Sequence, residues 1–529
     1  MESAIAIEYA RLSPFELKDK LVELATECTR QHARLMLDAG RGNPDWLALE
    51  ARRAFFALGE FALGEAGAHA LAHGLAEHPQ PFGIAERLLA WVGGDDSRPA
   101  LLADAVEFAR TALEMRPDAF VHELVQGVLG GSYPAPVRML AHMERVVLAY
   151  LGEELCRGSP PPGRFQLFAT EGATAGICYL FQSLLANGLL KRGDRVAIGV
   201  PAFTPYLEIP RLEAFRFEEV PIVAAEADGW QYPDAEIDKL ADPSVRAFFL
   251  INPGNPTSVA IRTQTMERIA RIVSGERRDL IVISDDVYAT YAKGYRSLAA
   301  VIPANTIAVY SFSKYFGCTG WRLGVIGIHE DNVLDRRLSG LPAKRRQALG
   351  ARYRSVSVEP ERLRFIDRLA ADSRSVALNH TAGLSGPQQV QMGLFALQSL
   401  MDRQSLYKTG ARSLVAQRLG ALYHALGLEA PAGALQSGYY ATIDLLRLAR
   451  MLHGEAFAVK LERTRHPLDF VFRLAREFAT VVLPGEGFDA PAWSVRISLA
   501  NLPAEAYGEI GAAMRAVLTE FHLEIGPGA

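Results

Sequence analysis

The sequence predicts an α/β protein: a large unit with a mostly parallel sheet flanked by helices, a smaller α+β unit toward the C-terminus, and a helical segment near the N-terminus. Three observations point there. Six short apolar runs lie between Phe165 and Ile328, separated by helical patterns. Runs of this length without polar alternation suit strands covered on both faces. The stretch from about Ala51 to Val128 has helical spacing and no convincing strand, and past Gly386 the pattern becomes helical and then mixed.

The elements follow in chain order. Ser13-Pro14-Phe15-Glu16 reads as a helix start, with Ser13 as cap, Pro14 where a missing N–H costs nothing, and Glu16 closing a capping box. Leu17, Leu21 and Leu24 are expected on one face of that helix. Leu102, Val106, Ala109 and Leu113 mark a further helical face. The glycine cluster from Gly127 to Ser132 reads as loop. The predicted strands are Phe165–Ala169, Val196–Val200, Ala247–Ile251, Leu280–Ile283, Ile307–Tyr310 and Leu323–Ile328, with later apolar runs near Tyr439 and Val495. No internal repeat or low-complexity linker interrupts them.

Composition excludes several classes. The 529 residues carry 56 basic and 60 acidic side chains for a net charge of −4, so no basic nucleic-acid footprint is expected. At 49% apolar and 22% charged residues, the chain reads as globular, and its length is a soft prior for roughly three domains. No apolar stretch is long enough for a membrane span, and the start shows no secretory pattern. Cys28, Cys156, Cys178 and Cys318 lie far apart, which suits neither a disulfide framework nor a zinc site and makes a reducing cytoplasm the expected home. His69 and His73 are four apart without an evident third ligand, so no metal is expected. Neither a Walker A loop nor a nucleophile elbow is present.

The chemistry concentrates in Ser311-Phe312-Ser313-Lys314-Tyr315-Phe316-Gly317-Cys318-Thr319-Gly320-Trp321-Arg322-Leu323-Gly324. A lysine just after a strand, hydroxyls before it and an arginine eight positions later offer an amine nucleophile beside an anion-binding cation. Thr170-Glu171-Gly172-Ala173-Thr174 joins a strand to a helix, where backbone N–H groups and the helix dipole favour an anion.

With Asn252-Pro253-Gly254-Asn255-Pro256-Thr257 and Ser284-Asp285-Asp286-Val287-Tyr288, the lysine segment resembles the class I aminotransferases and their fold-type I relatives. Ser258 stands where that pattern ends in glycine, and Cys318 where an aliphatic residue is usual. The resemblance implies pyridoxal 5'-phosphate as cofactor and the fold-type I transferase fold. Lys314 would carry the cofactor aldehyde as a Schiff base and later move protons at Cα. Asp285 would keep the pyridine nitrogen protonated. Asn255 and Tyr288 would hydrogen-bond the phenolic oxygen, and Phe203 would stack on the ring. Gly172, Ala173, Thr174, Ser311, Ser313 and Arg322 would hold the phosphate, with Tyr133 lent by a neighbouring subunit.

On the substrate side, Arg496 in Ser494-Val495-Arg496-Ile497-Ser498 matches the arginine that anchors the α-carboxylate, and Gly42 in Gly40-Arg41-Gly42-Asn43-Pro44-Asp45-Trp46 matches the glycine that approaches the substrate. The long helical stretch between Trp46 and Tyr133, the extended Gly324–Gln389 segment and the inserted cation Arg41 narrow the likeness to the aspartate 4-decarboxylases. That resemblance implies β-decarboxylation of L-aspartate to L-alanine and CO2 through ketimine and enamine intermediates, with minor aminotransfer. Asn255 would also contact substrate, and Arg41, with Lys18 as a weaker second, would orient the β-carboxylate. A class I amino-acid aminotransferase and a non-catalytic regulatory protein of the same fold remain as alternatives. The implied partners are L-aspartate and further copies of the chain, at least a dimer and, from the resemblance, a dodecamer, with neither nucleic acid nor membrane. The expected division is 1–48 as N-terminal arm and part of the small domain, 49–130 as helical insertion, 131–404 as the large cofactor-binding domain and 405–529 as the C-terminal small domain.

Overall fold

The computed structural model describes Tyr9 and residues 13–32, 35–68, 71–374 and 383–526. Its centre is a seven-stranded sheet of β1 (Phe165–Thr170), β2 (Arg195–Val200), β3 (Glu218–Val223), β4 (Val245–Ile251), β5 (Ile281–Asp285), β6 (Thr306–Ser311) and β7 (Gly324–His329). The order is β1-β7-β6-β5-β4-β2-β3. Only β7 runs antiparallel to its neighbours. The central strands are buried along nearly their whole length because helices cover both faces, which is why their sequence shows no alternation.

Strand β3 is an addition to the expected set. It is an edge strand with exposed Glu218, Pro221 and Val223 alternating with more buried positions, so its apolar signal is diluted. A proline is tolerated there because the outer side of an edge strand needs no donor.

The first helix, α1 (Pro14–His32), opens with the expected capping box: the Ser13 N–H donates to Glu16 Oε2 at 2.9 Å and the Glu16 N–H to Ser13 Oγ at 3.3 Å. Its buried face is Leu17, Leu21, Ala25 and Cys28; Leu24 is only half-buried, a correction to the expected stripe. These residues pack with α2 (Pro467–Phe478) and α3 (Ala504–Ile525) around a three-stranded antiparallel sheet of Leu483–Pro484, Ser494–Ser498 and Tyr440–Asp444. A two-residue strand, Leu37–Asp38, pairs in parallel with Thr480–Val481 and ties the N-terminal segment to this unit.

The region 49–129 consists of the helices Leu49–Gly67, Ile84–Gly93, Leu101–Thr111 and Pro117–Leu129, and its apolar core is continuous with that of the large sheet. Gly127 is not in a loop: it lies inside the helix Pro117–Leu129, where an added Cβ would fall 2.5 Å from Val390 Cγ2. Its lack of a side chain lets that helix approach the helix Gly386–Met401. Gly130 then ends the helix at φ 66°, a conformation that suits glycine. His69 lies outside the described residues, and among the described residues no group of three or more His, Cys, Asp or Glu side chains could hold a metal. No helix among the described residues is long and apolar enough to cross a membrane.

Candidate active site

The strand register brings the candidate residues to one edge of the large sheet. Asp285 ends β5 beside Ile251 and Val309, while Ser311 ends β6 opposite Gly324, which also faces Thr170. Ligands of open α/β sheets bind outside these carboxyl ends. A cavity of about 550 Å³ opens there, lined by Ala173, Thr174, Phe203, Asn255, Asp285, Tyr288, Ser311, Ser313, Lys314 and Arg322 from the large unit. Arg496 and Tyr440 from the small sheet and Lys18, Arg41 and Gly42 from the N-terminal segment complete its wall. Gly172 borders it as the N-cap of the helix Ala173–Ala186. Of the residues read from sequence, Tyr133 stands apart on the surface, 69% exposed.

Asp285 is buried, accepting from Tyr206 Oη at 2.7 Å and from the Val287 N–H at 3.2 Å. Desolvation raises its pKa to about 6, with these hydrogen bonds and the Lys314 charge opposing that rise. Neighbouring Asp286 points into a different, closed network, with Ser284 Oγ at 2.6 Å, Ser297 Oγ at 2.8 Å and the Tyr295 hydroxyl as donors, and burial pushes it to about 7.

The Lys314 amine donates to the Gly42 carbonyl at 3.0 Å. Burial lowers its pKa, and the Arg496 and Arg322 charges act in the same direction while Tyr440 and Asp285 oppose it. The Asn255 amide donates to Tyr288 Oη at 3.4 Å, and Tyr288 Oη lies 2.9 Å from Tyr440 Oη. Arg496 is buried with its guanidinium 4.6 Å from the Tyr440 ring centre and 4.7 Å from that of Phe488. It donates to the Gly40 carbonyl at 2.6 Å and to Asn255 Oδ1 at 3.5 Å, while its Nε has no partner among the described residues. Arg41 is half-exposed and donates from Nε to Asp38 Oδ2 at 2.9 Å.

The two departures from the aminotransferase pattern have local explanations. Ser258 adopts φ 60°, the left-handed conformation that favours glycine, and its hydroxyl accepts the Tyr440 N–H at 2.7 Å, tying the loop to the small sheet. Cys318 is buried and pushed up to about 12 by desolvation, so it fills space as a thiol. Tyr206, Tyr440 and Asp38 are site residues that the motifs did not single out. Tyr206 follows Phe203 by one helical step, the only local signal for it.

This donor set fits pyridoxal phosphate. A half-buried amine and a buried carboxylate share the cavity, and at its end Arg322 meets a helix N-terminus. An added Cβ on Gly172 would lie 2.3 Å from Arg322 Nη2, and one on Gly324 only 2.5 Å from the Gly172 carbonyl carbon, so side chains are kept out of this junction. Backbone N–H groups and a guanidinium in such a junction suit a phosphate.

Comparison with known proteins agrees. The family model described as "Aminotransferase class I and II" matches residues 165–513. A bifunctional aspartate aminotransferase and L-aspartate beta-decarboxylase from a Pseudomonas species is 48% identical over 521 residues, covering 97% of this chain and 97% of the relative. Among solved structures, the aspartate aminotransferase of Rhizobium meliloti superposes with a TM-score of 0.60 at 16% identity, covering 94% of this chain and 95% of that one. A double mutant of the Thermus thermophilus aspartate aminotransferase gives 0.58 at 18% identity, covering 96% of each. The lysine and buried aspartate near the strand ends, the phosphate junction and these matches lead to one conclusion: the chain belongs to the class I and II aminotransferase family, whose members use pyridoxal phosphate.

Proposed function

We propose that this chain releases the β-carboxylate of L-aspartate as CO2 to leave L-alanine, and that it carries out aminotransfer on the same substrate as a second activity. The observation that carries this reading is the presence, besides Arg322 at the phosphate junction, of two further guanidiniums, Arg496 and Arg41, on the cavity that also holds the Lys314 amine. Two cations flanking one amine suit an amino acid with two carboxylates. The relative at 48% identity, named for both activities, supports the β-carboxylate as the leaving group.

Lys314, Asp285, Asn255, Tyr288, Phe203 and the Gly172–Arg322 junction would hold pyridoxal phosphate, which when bound would supply an electron sink for bonds broken at and next to the substrate α-carbon. Asp285, whose proton is weakly held near neutral pH, would stabilise a positive charge on the cofactor's ring nitrogen. Lys314, its pKa lowered by burial, is the base that moves the proton at Cα. Arg496 grips the α-carboxylate, and the partnerless Nε is a donor ready for it. Arg41, with Lys18 on the same wall, orients the β-carboxylate. Too firm a grip there would stabilise the charged ground state more than the charge-dispersed transition state.

Supplying L-aspartate without any keto acid tests the reading. Continuous formation of alanine and CO2 is expected. One stoichiometric half-turnover would make the chain a plain aminotransferase, and a cofactor absorbance that no amino acid changes would make it a regulatory protein. We further infer a cytoplasmic homo-oligomer in which the surface residue Tyr133 serves a neighbouring copy. In its domain division, 1–48 joins 405–529 as the small domain, 131–404 binds the cofactor and 49–130 is an insertion.

A further inference from the structure

The cation proposed to face the β-carboxylate is not a lone charge. Asp38 lies on the short strand paired with Val481, its side chain only 9% exposed. Its carbonyl accepts from Asn501 Nδ2 at 2.5 Å. One carboxylate oxygen accepts the Gly40 N–H at 2.9 Å, and the other accepts Arg41 Nε at 2.9 Å. The anion is therefore fixed by its strand and by the Gly40 N–H, whereas the Arg41 side chain is 56% exposed and reaches the cavity from a loop. Because Asp38 takes the Nε edge, the two terminal nitrogens of the guanidinium remain as donors.

The same stretch meets the other anchor. Gly40, between Asp38 and Arg41, receives the Arg496 Nη2 hydrogen bond through its carbonyl at 2.6 Å. The two substrate arginines thus converge on one turn, and Asp38 sets that turn through the Gly40 N–H. Among the described residues, Asp38 is the one acidic group that either arginine bonds, through Arg41.

We propose that Asp38 is a positioning residue that offsets the charge of Arg41 and thereby sets how aspartate partitions between CO2 loss and aminotransfer. The inference rests on the proposed decarboxylase reading. A neutral Asp38–Arg41 pair orients the β-carboxylate by hydrogen bonds while adding little net charge stabilisation. CO2 loss disperses that carboxylate's charge, so an unpaired cation would hold back the step by stabilising the starting state. Aminotransfer leaves the β-carboxylate intact and is not held back in this way.

Asp38→Asn tests it, because asparagine still offers an oxygen to the Gly40 N–H while its amide NH2, a donor, cannot accept from Arg41 Nε, so the charge and the ion pair are removed together. With maleate as a non-reacting dicarboxylate, the variant holoenzyme should bind about two- to fivefold more tightly by calorimetry, the scale of a half-exposed ion pair. Acetate affinity should not change. With L-aspartate, KM should fall, the rate of CO2 release should fall with it, and the share of oxaloacetate should rise. In an Arg41→Ala background the same substitution should leave both maleate binding and the partition where Arg41→Ala alone puts them.

Unchanged maleate affinity and product ratio in Asp38→Asn, or the same shifts persisting without Arg41, would overturn the proposal. If Asp38→Asn does not fold, Asp38→Ser keeps a short acceptor and should reproduce the shifts, while Asp38→Glu keeps the charge and should stay near the parent ratio. A parent enzyme that releases no CO2 would sink the decarboxylase reading and the partition with it. A parent that decarboxylates while Asp38→Asn behaves identically would sink this proposal alone.

Discussion

The cofactor end of the cavity is assembled from the ends of adjacent strands, whereas the substrate end is assembled from segments far apart in the chain. Asp285 and Ser311 are fixed by strand register, and Asp285 and Tyr288 are buried with hydrogen-bond partners inside the protein. At the other end, Arg41 is half-exposed and held by one ion pair, while Arg496 belongs to a different sheet. The difference teaches where precision is needed. A bound ring whose electronics depend on fixed charges needs a rigid surround. On the proposed reading, a substrate that must enter, lose CO2 and leave needs a grip that can be released.

Variants at the two ends should therefore separate cleanly. The largest effect is expected for Lys314→Ala, which removes the cofactor's attachment point and the base together: CO2 release should fall by about 10⁴-fold or more. Borohydride reduction followed by peptide mapping should find no cofactor label at position 314. A label retained elsewhere with turnover intact would dissolve the contrast altogether.

Asp285→Asn should lower turnover by about 10²- to 10³-fold while making the cofactor-free protein more stable at neutral pH. The sign follows from its raised pKa. In the folded state Asp285 holds its proton up to about pH 6, above the unfolded value of 3.8. Its contribution is thus full below pH 4, declines as the pH rises through this window and stays low above it. Asparagine removes that decline, worth about 3 kcal/mol. Urea midpoints of the cofactor-free proteins at pH 4 and pH 8 check it; an equal gap at both values would contradict burial as the cause.

Gly42→Ala should affect the junction between the ends. Its Cβ would fall 2.5 Å from Tyr440 Oη and 3.5 Å from Lys314 Nζ, so the tyrosine hydroxyl must shift. We expect kcat/KM for aspartate to drop about 10- to 100-fold with the cofactor still bound. Steady-state kinetics beside the absorbance spectrum would show whether the damage stays on the substrate side. The smallest effect is expected for Arg41→Ala, where KM for aspartate should rise about two- to fivefold. Unchanged CO2 release and affinity would remove Arg41 from its assigned role.

The cofactor end was legible in sequence because its residues sit in local strings: a buried strand that runs into Asp285, another that runs into Ser311 and Lys314, and a strand-to-helix turn at Gly172. The substrate end was legible only where a motif carried it, as for Arg496, Gly42 and Arg41. Asp38 and Tyr440 escaped because their roles arise from contacts with Arg41 and with Tyr288, the latter 152 residues away, that no periodicity encodes. Strand β3 escaped because an edge position permits charge and proline. Gly127 was misread for a related reason: a glycine required by close helix contact looks the same in sequence as one required by a turn.

The pairing of Leu37–Asp38 with Thr480–Val481 also sets a schedule for biosynthesis. Asp38 leaves the ribosome long before Val481 is made, and at about 5–20 residues per second the interval is roughly 20–90 s. Throughout that time the nascent chain can complete its large sheet but, on the proposed reading, has no finished mouth for aspartate, so it stays idle until Thr480–Val481 emerges and pairs with Leu37–Asp38.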